Sequence, residues 1–198
     1  TDIPKRAGGL SAKELSRMIC GHLYHSLIGS GAQMGNVEDR TSAGHLLIDL
    51  QIAEGKGMER AKITVAPCNT ASTEAQAMAA EIGRLFGENL TATGLPGTPP
   101  EVVVATERPA DRDKTVVVTI SLGDLNTPAF EQWMARRGSW NTVSEGIYKG
   151  VAAVWQEKKD EFASRVKPST DRVATDETTT KKKKKKYWKS EKPPVTEK

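Results

Sequence analysis

Little in this sequence announces a chemistry. Its 198 residues include only two cysteines, Cys20 and Cys68. That is too few for a disulfide framework, and they are not spaced as a C-x-x-C pair, so reduced thiols in an intracellular protein are expected. No run approaches the roughly 20 apolar residues that a membrane span needs. The opening TDIPKRAGGL lacks the charged-then-apolar plan of a signal peptide, which gives a cytoplasmic expectation. The hydrolase signatures H-E-x-x-H and G-x-S-x-G are absent. The glycines of GSGAQMGN follow a helical segment and precede a strand, the reverse of the setting that lets a glycine loop cradle phosphate. No cofactor is expected.

Charge is unevenly placed. The formal net charge is +4, yet residues 1–166 hold 18 Lys and Arg against 20 Asp and Glu, while residues 167–198 hold 11 against 5. Attraction to a polyanion therefore rests on the tail alone. With 37% apolar residues the rest suffices for one compact core. The expected organisation is a flexible N-terminus over residues 1–9, a folded domain over 10–166, and a disordered Lys-rich tail over 167–198, where Pro, Thr, Asp and Lys cannot bury enough surface to offset chain entropy.

Within the domain, LSAKEL reads as a helix start, Ser11 capping and Glu14 reaching back. Leu15, Met18, Ile19, Leu23 and Leu27 then give one apolar stripe over residues 12–28. HLLIDLQIAEGKGMERAKITVAP alternates on both sides of Gly55-Lys56-Gly57 and predicts a β-hairpin. A second helix follows, with Ser72 or Thr73 as cap and Ala77, Ala80, Ile82, Leu85 and Phe86 packing. EVVVATE and KTVVVTISLG predict a second hairpin across RPADRD. Thr127-Pro128 opens a third helix, and Gly138 separates it from a fourth. The predicted fold is α+β: a four-stranded antiparallel sheet from two hairpins, helices on one face, in the order α-ββ-α-ββ-α-α. That order resembles homing endonucleases of the LAGLIDADG type, but the signature helix of that family is absent, so nothing functional follows.

Three features carry candidate chemistry. The run Lys181, Lys182, Lys183, Lys184, Lys185, Lys186, followed by Tyr187 and Trp188, suits nonspecific phosphate contact with base stacking. Arg136, Arg137 and Trp140 pair two guanidinium groups with an indole, which serves phosphate contact or a helix terminus that packs its own aromatic. His22 and His25, one helical turn apart, could meet His45 around a metal ion, although ordinary surface and core histidines explain all three.

The reading that follows is a non-enzymatic nucleic-acid-associated binding or assembly protein. Its partners would be nucleic acid or an acidic protein surface, and an oligomer is possible. The alternatives are a metal-dependent hydrolase or nuclease using the histidines, and a structural subunit of a larger assembly.

Overall fold

The computed structural model describes residues 7–32, 46–55, 58–107 and 115–165. Its elements are α1 (Ala12–Gly29), β1 (Leu46–Ala53), β2 (Lys62–Ala66), α2 (Thr73–Thr91), β3 (Glu101–Val104), β4 (Val116–Asp124), α3 (Pro128–Met134) and α4 (Ser139–Arg165). The chain divides into two compact units, Thr1–Lys159 and Asp160–Lys198. Of the second, only the end of α4 is described.

Local signals set the helices. Ser11 accepts from the Glu14 amide while the Glu14 carboxylate accepts from the Ser11 amide, which satisfies two of the end groups that a helix leaves open. Leu15, Ile19, Leu23 and Leu27 are then buried along one stripe of α1, with polar residues on both flanks. Ser72 caps α2 by accepting from the Ala75 amide. Thr127 stands at the N-cap of α3, but its hydroxyl donates to the Met58 carbonyl instead of capping.

The predicted pair of antiparallel hairpins does not form. The sheet order is β1-β4-β2-β3, with β1 parallel to β4, β2 parallel to β3, and β2 antiparallel to β4. The fold is mixed α/β, with a four-stranded sheet and four helices among the described residues. Two physical reasons explain the difference. Parallel neighbours need a crossover of a dozen or more residues, which α2 supplies, so β2-α2-β3 is a βαβ unit. Strand β4 is central: Val116, Val117 and Val118 are buried in succession, with Ile120 and Leu122 buried after them, and that opening run marks an interior strand rather than the alternation of a hairpin arm.

Pairing register sorts the sheet into an apolar side and a mixed one. Leu50, Ile120, Ile63 and Val102 form one cross-strand row, and Ile48, Val118, Val65 and Val104 the next row on that face. The opposite face carries the apolar row Leu47, Val117 and Ala66, then Asp49 with Thr119, Thr64 and Val103, and Gln51 with Ser121, Lys62 and Glu101. Helix α2 lies on the apolar face, and two glycines set how close it comes. A Cβ at Gly83 would overlap Val102, and one at Gly87 would stand 3.6 Å from the same side chain. Helix α4 touches both of its neighbours, since a Cβ at Gly150 would meet the Phe86 ring of α2 at 2.7 Å and Ser144 bonds to His22 of α1.

Candidate functional site

The carboxyl ends of β1 and β4 lie side by side, and the buried carboxylate of Asp124 fastens them. It accepts hydrogen bonds from the Gly55 amide at 3.2 Å and the Asn126 amide at 2.7 Å. Asn126 Nδ2 returns a bond to the Gly55 carbonyl, and the Leu125 amide donates to Ala53. The segment after β1 is thereby tied across the end of β4. The pairing register shifts at this point, between Gln51 and Ala53. Gly123 completes the arrangement, because any Cβ there would lie 2.5 Å from the Phe130 ring. An Asp two residues before Asn126, ahead of Thr127-Pro128, is a turn signal visible in the sequence itself.

The N-terminus of α1 is drawn to the same strand ends. Glu54, just past β1, accepts from the Ala12 amide at 2.7 Å through Oε1, so a carboxylate meets the positive end of the helix. Between α1 and the strand ends lies an open cleft of about 820 Å³. Ser16, Arg17, Cys20, Gln51, Glu54 and Ser121 are among its lining residues. Gln51 Nε2 donates to Asp49 at 2.7 Å, which orients the amide along the strand. Cys20 is exposed as a residue, yet its thiol is pushed up, first by partial desolvation and then by the nearby Asp49 carboxylate. A thiol shifted in that direction is protonated at neutral pH and is not an activated nucleophile. The cleft thus offers hydroxyls, an amide, a guanidinium and a carboxylate: groups suited to holding a polar, amide-containing ligand.

The residues singled out from the sequence fall elsewhere. His22 is half-buried against α4, with Nδ1 3.2 Å from Ser144 Oγ and its ring edge-on to Trp140 at 5.7 Å. His25 is exposed and packs edge-on to Tyr24. His45 lies outside the described residues, and among those described no group of three or more His, Cys, Asp or Glu could hold a metal ion. Arg136 and Arg137 are exposed in the link from α3 to α4, whereas Trp140 turns inward to His22. Lys181, Lys182, Lys183, Lys184, Lys185, Lys186, Tyr187 and Trp188 lie outside the described residues.

No family model matches this chain, and no curated protein does. Solved structures do. The N-acetylmuramyl-L-alanine amidase Ami1 from Mycobacterium smegmatis superposes with a TM-score of 0.59 at 12% identity, over 79% of this chain and 83% of that one. Ami1 from Mycobacterium abscessus gives 0.54 at 13%, over 78% and 82%. The N-acetylmuramoyl-L-alanine amidase from Clostridium difficile 630 gives 0.51 at 19%, over 76% and 87%. The chain has the fold of these amidases. That likeness overturns the reading of a nucleic-acid-associated binding or assembly protein partnered by nucleic acid or an acidic surface. The physical reason is that the basic excess belongs to residues 167–198, whereas residues 1–166 are slightly acidic and the fold is that of these amidases. Among the described residues no helix is long and apolar enough to cross a membrane.

Proposed function

We propose that this chain is a cell-wall amidase-type hydrolase that takes an N-acetylmuramoyl-L-alanine linkage in the cleft at the ends of β1 and β4. One observation carries the reading: the open cleft of an amidase-like fold lies at the carboxyl ends of its parallel strand pair, where α/β sheets hold their ligands. The linkage is an amide joining a lactyl carbonyl on a sugar to the alanine nitrogen, so its recognition needs a donor for the carbonyl, an acceptor for the N–H, and partners for sugar hydroxyls. Ser16 and Ser121 can serve as either, the Gln51 carbonyl as acceptor, and Arg17 as partner for a carboxylate on the peptide.

A second reading, binding of the same linkage without cleavage, is favoured by the occupancy of the cleft's own groups. Glu54 is engaged by the Ala12 amide, and the Cys20 thiol is pushed up rather than activated. One experiment separates the two. The full chain is incubated with purified peptidoglycan, with and without a divalent cation, while released amino groups and protein co-sedimenting with the polymer are both measured. Release supports hydrolysis, and co-sedimentation without release supports the second reading. Neither release nor co-sedimentation overturns both.

A further inference from the structure

A second polar site lies on the other side of α1. Two residues along a helix is a rotation of roughly 200°, so Cys20 looks toward the cleft and His22 away from it, toward α4. There, between His22 and Ser26 of α1 and Asn141, Glu145, Tyr148 and Lys149 of α4, is a groove of about 430 Å³. Asn141 Oδ1 is sealed from solvent and, among the described residues, has no hydrogen-bond partner. A buried acceptor left in that state is costly, and its neighbours are otherwise employed. His22 meets Ser144, the Ser26 hydroxyl donates to the His22 carbonyl, and Lys149 pairs with Glu145 at 2.8 Å.

We propose that this groove is a saccharide-binding site, separate from the cleft and independent of the function assigned to it. Three features select the ligand. The charges at the rim are paired with each other, so neither an anion nor a cation is drawn in. The Asn141 amide oxygen lacks a partner where it is sealed, and once the side chain turns toward the groove a hydroxyl satisfies it in either orientation, because a hydroxyl both donates and accepts. The half-buried Tyr148 ring adds an apolar face beside polar groups, which matches a sugar's alternation of C–H and O–H surfaces. The volume falls in the range of small-ligand pockets.

The test titrates N-acetylglucosamine and its β1,4-linked dimer into the full chain, followed by calorimetry and backbone amide shifts. Saturable binding in roughly the millimolar range, with shifts centred on Asn141 and Tyr148, is expected. Asn141→Ala should weaken it by about tenfold without lowering the melting temperature, because it removes an unpaired acceptor rather than a bond. Tyr148→Ala supplies a second variant should the first fold poorly, and it should also weaken binding. Gln51→Ala, in the cleft, should leave binding intact. No saturable signal up to roughly 50 mM would mean that the groove takes no saccharide and would overturn the proposal. Binding that survives both groove variants, or that is lost in Gln51→Ala, would overturn it as well.

Discussion

Helix α1 presents two polar flanks separated by one apolar stripe, and the two have become different kinds of site. On the first, Ser16, Arg17 and Cys20 face strand ends that Asp124 has already tied together, and the result is an open cleft. On the second, His22 and Ser26 face another helix, and the result is a narrow groove containing an unpaired buried oxygen. Both flanks have similar composition, so composition did not decide the outcome. The partner did: the strand ends leave an open cleft of about 820 Å³ beside α1, whereas a helix packed at side-chain distance leaves a groove of about 430 Å³.

The largest difference between the two flanks should come from Asp124→Ala. It leaves the Gly55 and Asn126 amides without their charged acceptor, and the expected loss is about 3 kcal/mol in urea unfolding. Peptidoglycan co-sedimentation should fall with it, since the ends of β1 and β4 lose their fastening. A loss within experimental error would show that the cleft does not depend on Asp124.

Next in size is His22→Ala on the groove side. The variant loses the contact with Ser144 and the edge-on packing against Trp140, worth together about 1–2 kcal/mol. Because α1 stays attached to β1, cleft binding should remain. Loss of cleft binding at unchanged stability would mean that the two flanks are not independent.

These two variants also show what could be read in advance. The capping box at Ser11 and Glu14 and the stripe from Leu15 to Leu27 were legible because helix starts and helical periodicity are local. The start of α2 was legible as well, with the cap open between Ser72 and Thr73 until the structure gave Ser72, although Ala77 and Ala80 prove exposed while Met78 and Ala79 are buried. Alanine is too small and neutral to mark a face. Strand existence was legible too, but pairing was not, because pairing is a nonlocal choice. Alternation in LLIDLQIA fixes which residues share a face, not which strand lies alongside, and the insertion of β4 between β1 and β2 leaves no mark in either segment. The run of Val116, Val117 and Val118 was the available clue to a central strand. The cleft was hidden for the same reason: it exists only where distant segments meet. Arg136 and Arg137 were conspicuous by type and lie exposed away from it, while Asp124 looked ordinary and organises it.

Gln51→Ala should leave stability within about 0.5 kcal/mol, because the residue is exposed and its bond to Asp49 is at the surface. Co-sedimentation with peptidoglycan should nonetheless weaken, since the Gln51 amide offers the cleft a planar donor and acceptor. An unchanged bound fraction would move the ligand off the β1 end of the cleft.

The smallest expected effect concerns the Cys20 thiol, and it tests whether Asp49 belongs electrically to the cleft. Alkylation proceeds through the thiolate. In a Cys68→Ser background, the rate with iodoacetamide at neutral pH should lie below that of an unhindered thiol and should still be rising with pH where an ordinary thiol has levelled off, because desolvation and then Asp49 push the group up. The same sign governs stability. A proton held more tightly in the folded state contributes stability below the ordinary thiol range, and that contribution is lost as pH rises through the raised value. Asp49→Asn keeps an oxygen that can accept from Gln51 but removes the negative charge, so the thiol should come down and the neutral-pH rate should rise. Desolvation, the larger cause, remains in this variant, so the profile should move only part of the way back. A profile that does not move at all would leave desolvation as the sole cause and remove Asp49 from the electrostatics of the cleft.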